Sequence, residues 1–180
     1  MEQVTTKGFM IARHLQAAKE KLTEEEFQAI EDELGVTLKQ MKLSAFKNFP
    51  ATLQIDVEKR LAPILWNGSY ADTAYYAGKH NYQAYAASAA GRTTLLLVGN
   101  DPGKMIKATT RLITLVISGM KFEVQELGEK EYSVRVQHGP FLPQGWKGAF
   151  EGALEATGIT PRTEIIQRGP EDFEYLIRWD

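Results

Sequence analysis

The chain has 180 residues, of which 43% are hydrophobic and 24% charged, and its net charge is −2. This composition is typical of a folded domain and excludes an intrinsically disordered chain, while the net charge gives no general attraction to nucleic acid or anionic lipid. The absence of cysteine excludes disulfides, thiolate nucleophiles and cysteine-ligated zinc or iron–sulfur sites, and we therefore expect a cytoplasmic location. The longest apolar runs, at residues 95–99 and 112–117, are too short to predict a membrane span.

The first third of the chain carries helix signals. Apolar spacing predicts a helix from Phe9 to Leu22, and Thr23 followed by Glu26 has the spacing of a capping box that opens a second helix. Gly35 is expected to end that helix in a left-handed conformation. Residues 36–50 give mixed signals, with a short helix and then a break.

A further helix is predicted from Leu53 to Trp66, with a kink or restart at Pro63 because proline lacks the backbone N–H. After a turn at residues 67–69, a long helix is expected from about residue 72 to residue 90, closed by Gly91. Residues 93–98 are apolar enough for either a helix or a buried strand, and a helix resumes over residues 105–116.

The last sixty residues alternate between apolar and polar side chains. One face of a predicted hairpin carries Phe122, Val124, Tyr132, Val134, Val136 and His138. A helix at about residues 146–157 and strands at residues 163–167 and 173–179 follow. We predict a single α+β domain over residues 1–180, with N-terminal helices followed by a four-stranded antiparallel sheet in ββαββ order.

No reaction centre is recognisable in the sequence. The segment Gly99–Lys104 lacks the glycine spacing of a phosphate-binding loop and predicts an ordinary turn. The three histidines do not lie at metal-binding spacings, and Ser88 and Ser118 lack the Gly-x-Ser-x-Gly context of a nucleophile elbow. We therefore predict no catalytic residues and no metal site, although a triad assembled from distant residues would leave no local signal.

The long helix offers one candidate site. Tyr75, Tyr82 and Tyr85 share a helical face with Gly78 and Ala89, and Trp66 lies just upstream. Aromatic rings with polar tips can line a ligand pocket, so we predict Trp66, Tyr75, Tyr82 and Tyr85 as ligand-binding residues. The same stripe is also typical of a core or a subunit interface.

Several segments together resemble an uncharacterised bacterial family known chiefly from myxobacteria. The resemblance spans nearly the whole chain and is carried by Lys7–Gly8, the helix from Gly78 to Arg92, Phe122–Leu127 and the block from Gly148 to Trp179. The order of elements is also similar to a wider group that contains haem nitric-oxide-binding sensor domains, 4-vinyl-reductase-type ligand-binding domains and Bet3-like subunits of the TRAPP tethering complex. That similarity implies a small-molecule or acyl-chain pocket and, often, a homodimer.

The haem sensors carry a Tyr-x-Ser-x-Arg motif for the haem propionates. Here Tyr132-Ser133-Val134-Arg135 is one residue shorter, and residues 102–105 stand where the resemblance implies a haem-ligating histidine. We therefore expect no haem and no other cofactor. The sequence favours a non-catalytic signalling module that binds a small apolar or amphipathic ligand. The alternative is a structural adaptor or dimerisation module without ligand.

Overall fold

The computed structural model describes residues 3–180, apart from the side chains at positions 89 and 90, and it confirms the α+β class. The helices are α1 (Gly8–Lys19), α2 (Glu24–Leu34), α3 (Leu38–Leu43), α4 (Ala51–Trp66), α5 (Tyr70–Ala87), α6 (Ala89–Val98), α7 (Pro102–Val116) and α8 (Pro143–Glu155). The strands are β1 (Thr5–Lys7), β2 (Asn48–Pro50), β3 (Ile117–Ser118), β4 (Lys121–Gly128), β5 (Glu131–Gln137), β6 (Arg162–Gln167) and β7 (Phe173–Arg178). None of the described helices has the length and apolar character needed to cross a membrane.

The chain divides into two compact units. The first comprises the described residues up to Thr73 together with Val116–Gly119, and the second comprises Ala74–Leu115 and Met120–Asp180. The expectation of one domain over residues 1–180 stays a prediction.

The first unit begins with the predicted helices. Thr23 and Glu26 form the capping box, with the Thr23 hydroxyl accepting from the Glu26 N–H, and Gly35 ends α2 at φ 65°. α1 packs against α3 and α4 around an apolar core that includes Ile11, Leu15, Phe27, Met41 and Leu61. Strands β1, β2 and β3 form a small antiparallel sheet that the sequence did not predict.

A connected group of four polar side chains is buried in this unit. The Thr6 hydroxyl donates to the side-chain oxygen of Gln54 at 2.7 Å, and the side-chain NH₂ group of Gln54 donates to the Glu58 carboxylate at 2.8 Å. His14, which is 1% exposed, brings its Nε2 atom within 3.0 Å of the same carboxylate oxygen. That contact lacks hydrogen-bonding geometry. The chain of contacts joins β1, α1 and α4.

The second unit contains the four-stranded sheet. Its spatial order is β4-β5-β7-β6, every neighbouring pair is antiparallel, and α8 lies between the two hairpins in the chain. This is the predicted ββαββ order. On the predicted apolar face Val134, Tyr175 and Ile177 have no exposed surface, whereas Phe122 and Val124 are half-buried. The Phe150 ring of α8 packs edge-on against Tyr175 at 5.5 Å.

Two sequence-based expectations are wrong, and a third is answered in part. The long helix ends at Ala87, because the Ser88 hydroxyl accepts from the Gly91 N–H and starts α6, which places Gly91 inside a helix instead of at its end. Pro63 does not restart the helix, since α4 continues to Trp66, and the alternative of a kink there stays a prediction. His138 lies beyond β5 in a left-handed conformation at φ 59° and is exposed, so it is not on the buried face of the hairpin.

Candidate functional site

The tyrosines of the predicted face have different contacts within the second unit. Tyr75 is half-buried and donates to Glu151 of α8 at 2.8 Å, whereas the Tyr82 and Tyr85 rings contact each other with centroids 6.0 Å apart. Trp66 belongs to the first unit, where its ring lies edge-on to His14 at 6.0 Å. The structure therefore brings Tyr82 and Tyr85 together, whereas Tyr75 contacts α8. The side chain of Ala89, the last member of the predicted face, lies outside the described residues.

Close backbone contact fixes the start of this face. A Cβ on Gly148 of α8 would lie 2.0 Å from the Tyr75 carbonyl oxygen, and a Cβ on Gly78 would lie 1.9 Å from the Gly145 carbonyl oxygen. Only glycine permits such an approach, so α5 and α8 cross with their backbones in contact. Gly148 of α8 therefore serves close contact with a neighbouring helix. Lys79 and Glu155 add an ion pair of 2.7 Å across the crossing.

Tyr82 lies at the centre of a buried group of polar atoms. It is 5% exposed, and its hydroxyl donates to the sulphur of Met105, a fully buried residue of α7, at 3.1 Å. A thioether is a weak acceptor, so this contact satisfies the phenol poorly. Burial, and secondarily the Tyr85 hydroxyl, raises the pKa of Tyr82 to about 12. The phenol is therefore a neutral donor at physiological pH.

Thr109 adds a second hydroxyl to this group. It lies one helical turn after Met105, is 3% exposed, and a hydrogen-bonding contact from its hydroxyl to Tyr82 partly offsets the rise in the pKa of Tyr82. That contact is poorly aligned, and the Thr109 hydroxyl has no hydrogen bond of good geometry to any described residue. Most buried side-chain polar atoms in folded proteins have a well-placed partner. Tyr82 and Thr109 thus make only weak hydrogen bonds to the described protein groups.

Tyr85 connects this group to α6. Its hydroxyl lies 2.7 Å from that of Thr94. Most of the described side chains of α6 are exposed, including Leu96 and Leu97 at 85% and 81%. Helices with little buried surface open at low free-energy cost, so α6 is the most easily displaced element beside the tyrosine pair.

The residues present do not fit a haem. In a strand, successive side chains point to opposite faces, so Tyr132 lies on the face opposite to Ser133 and Arg135. Its hydroxyl lies over Gly103, whereas Ser133 donates to Glu174 at 2.7 Å. One more residue between Tyr132 and Ser133 would place the Tyr, Ser and Arg side chains on the same face of the strand.

The histidines do not supply an axial ligand either. His14 is buried beside Glu58, while His80 and His138 are exposed. In the segment where the resemblance implies a haem-ligating histidine, Met105 contacts Tyr82. Within the described part of the chain, no group of three or more His, Cys, Asp or Glu side chains could hold a metal ion.

The other sequence candidates have structural roles. Ser88 caps α6, and Ser118 lies in the short strand β3. The turn at residues 99–104 leads into α7, where the Asp101 carboxylate accepts from the Lys104 N–H at 2.9 Å. An open cleft of about 350 Å³ lies along α1, α2 and α3 of the first unit, and none of the four predicted ligand-binding residues lines it.

Comparison with known proteins identifies the family. The model of a protein family of unknown function, DUF2378, matches residues 13–180. The chain belongs to the DUF2378 family. This agrees with the expected resemblance to an uncharacterised family. A comparison of the DUF2378 chain with curated proteins yields no match.

Solved structures of H-NOX proteins are similar to this DUF2378 chain over 97% of its length. The Fe(II) unliganded H-NOX protein from K. algicida is 14% identical, with 96% of that chain covered and a TM-score of 0.69. An H-NOX protein from S. oneidensis in the Fe(II)NO ligation state is 14% identical, with 99% covered and a TM-score of 0.66. An oxygen-binding H-NOX domain related to soluble guanylate cyclases is 8% identical, with 95% covered and a TM-score of 0.72. The DUF2378 chain therefore has an H-NOX-like fold.

Proposed function

We propose that this chain is a non-catalytic sensory domain that binds a small apolar or amphipathic molecule without haem. The observation that carries the proposal is the weak hydrogen bonding of the buried Tyr82 and Thr109 hydroxyls inside the second unit. A ligand oxygen or nitrogen is a stronger acceptor than the Met105 sulphur and would take the Tyr82 proton in its place. The Thr109 hydroxyl would gain a partner in the same event.

The similar solved proteins support a ligand-binding role. One is described as an oxygen complex, and another as an Fe(II)NO ligation state. In this chain the ligand chemistry has to differ, because the residues that would hold a haem are replaced or face away. We propose a mainly apolar ligand with one carbonyl or hydroxyl group, since the tyrosine rings supply apolar surface and the hydroxyls supply few polar contacts.

Access to this position is proposed to involve α6. The hydrogen bond between Tyr85 and Thr94 joins α5 to α6, a helix with little buried surface. Breaking this hydrogen bond would expose one side of the Tyr85 ring. Ligand occupancy would then change the position of α6 and pass a signal to a partner. The ligand-binding roles expected for Trp66 and Tyr75 stay predictions that this position does not depend on, and a cytoplasmic location remains a prediction.

A thermal-shift screen of small carbonyl- and hydroxyl-bearing apolar compounds tests the proposal. A compound that binds only the folded chain raises its unfolding temperature. We expect the shift to fall in a Tyr82→Phe, Thr109→Val double variant and in Tyr85→Ala. Tyr76→Phe is the matched control, because Tyr76 lies on the same helix and is 57% exposed. Equal shifts in all variants would place the ligand elsewhere.

A second candidate function is a dimerisation module without ligand. The exposed Leu96 and Leu97 favour it, because large exposed apolar side chains in neighbouring positions often mark an interface. Light scattering after size-exclusion chromatography separates the two. If the unchanged chain is a dimer and the Leu96→Ser, Leu97→Ser variant is a monomer, the result would support the dimerisation module.

A further inference from the structure

We propose that residues 39–47, at the end of α3 and in the turn after it, attach the first unit to an anionic lipid surface. This segment is called the basic–apolar turn below. The inference does not rest on the proposed ligand site, because every residue that it uses lies in the first unit.

Two large apolar side chains project from the basic–apolar turn. Leu43 is 79% exposed and Phe46 is 85% exposed. Phe46 touches only one other aromatic ring among the described contacts, that of Phe9, at a centroid distance of 6.4 Å. Burying such side chains is favourable, and a membrane interface accepts single projecting leucine and phenylalanine residues among its headgroups.

Lysines surround these apolar side chains. Lys39, Lys42 and Lys47 are exposed, and residues 36–50 contain no aspartate or glutamate. In the described residues, none of the three lysines forms an ion pair, although Lys42 donates to the Gln16 side chain at 2.7 Å. The local charge is thus positive although the whole chain carries −2. Basic residues beside exposed apolar ones are typical of attachment to anionic lipid.

Nearby carboxylates do not neutralise the turn. Glu31 is buried and accepts from the Leu38 N–H at 2.5 Å, which places its charge at the start of α3. Glu24 is paired with Lys19 at 3.1 Å. Both line the open cleft beside the turn, together with Lys39, Lys42 and Leu43. The positive charge of the three lysines therefore remains available.

Backbone hydrogen bonds hold the basic–apolar turn in place, so its side chains project from fixed positions. The N–H groups of Gly8 and Phe9 donate to the carbonyl oxygens of Lys47 and Ala45 at 3.0 and 2.9 Å. A Cβ on Gly8 would lie 2.5 Å from the Ser44 carbonyl oxygen, so α1 packs directly against the turn. Little ordering of the backbone is then needed on attachment, which favours binding.

The geometry favours a lipid surface over an acidic protein. Protein interfaces bury their apolar anchors at the centre of a well-packed patch. Here the two anchors project almost completely into solvent, and Lys42 and Lys47 flank them in the sequence, which suits insertion among headgroups. An acidic protein partner is the competing outcome of the test below.

Co-sedimentation with lipid vesicles tests the proposal. We expect the full chain to bind vesicles of phosphatidylcholine with about one-third phosphatidylglycerol, and to bind pure phosphatidylcholine roughly tenfold more weakly or worse. Leu43→Ser with Phe46→Ser, and separately Lys39→Gln with Lys47→Gln, should each weaken binding to the anionic vesicles by roughly tenfold. All four positions are exposed, so the fold should persist, and circular dichroism would check it.

Leu115→Ser with Leu127→Ser is the matched control, since both leucines are exposed, at 73% and 45%, but lie in the second unit. This control should bind as the unchanged chain does. Three results would overturn the proposal: no binding to anionic vesicles, equal loss in the control, or binding to soluble polyglutamate without binding to vesicles. The last result would assign the turn to an acidic protein partner.

Discussion

The hydroxyl of Tyr82 donates to the sulphur of Met105 at 3.1 Å, between two buried side chains 23 positions apart in the chain. In the haem sensors, the resemblance implies a metal-ligating histidine in the segment that holds Met105. In this chain Met105 instead accepts a weak hydrogen bond. The Thr109 hydroxyl beside it also lacks a well-placed partner among the described residues.

Replacing Tyr82 by phenylalanine should leave the fold almost as stable as before. A hydroxyl whose acceptor is a thioether contributes little, so we expect the free energy of unfolding to change by less than about 1 kcal/mol. Urea denaturation measures this directly. A loss of more than about 2 kcal/mol would mean that the hydroxyl is already well satisfied inside the protein.

Alkaline pH should destabilise the fold through its buried tyrosines. Burial is the main cause that raises the pKa of Tyr82 and of Tyr132 to about 12, above the value of about 10 in an unfolded chain. The folded state therefore holds these protons more tightly. Their contribution to stability is complete below about pH 10 and decreases as the pH rises toward about 12.

Urea midpoints measured across this pH window check that prediction. Lysines titrate in the same window, so the comparison is between the unchanged chain and a Tyr82→Phe, Tyr132→Phe variant. The variant should show the shallower decline. Identical slopes in the two proteins would show that these phenols do not cause the pH dependence.

Gly148→Ala should destabilise the second unit. The new methyl group would meet the Tyr75 carbonyl oxygen at 2.0 Å, and forcing α5 and α8 apart should cost about 1–3 kcal/mol. Gly145→Ala is the control on the same helix, since its nearest described neighbour would be 3.6 Å away, at the Ala74 carbonyl oxygen. That change should be neutral or slightly stabilising. Equal losses in the two variants would contradict the close crossing.

Removal of the Glu58 carboxylate should strongly destabilise the first unit. Glu58→Ala leaves the buried Gln54 amide and His14 without their shared partner, and we expect a loss of about 3–5 kcal/mol. Glu33→Ala is the control, because it removes an exposed ion pair with Arg60 and should cost less than about 1 kcal/mol. A small effect at Glu58 would show that the buried contacts add no stability.

Local signals predicted much of the fold. The capping box at Thr23 and the left-handed Gly35 lie within a few residues of the helix ends that they define, and the alternation of β5 follows from the period of a strand. The break at Ser88 was missed because the third residue after it is Gly91 and not the glutamate of a capping box. Helix α4 continues past Pro63 because the carbonyl left without a donor, that of Lys59, lies on an exposed side of the helix.

The short strands and the site were harder to predict. β1, β2 and β3 have only two or three residues each, too few to show a period. The spacing of Tyr75, Tyr82 and Tyr85 correctly placed them on one helix, but their partners are far away in the sequence. Glu151 lies 76 positions from Tyr75. No local pattern distinguishes a tyrosine bound to a carboxylate from one bound to a sulphur.

Native mass spectrometry of the chain purified from its own host tests the central claim most directly, because it weighs the protein with any small molecule that remains bound. The account predicts a discrete added mass different from that of haem, reduced in Tyr82→Phe, Thr109→Val and retained in Tyr76→Phe. A bound haem, or a bare protein mass under conditions that preserve weak complexes, would contradict it.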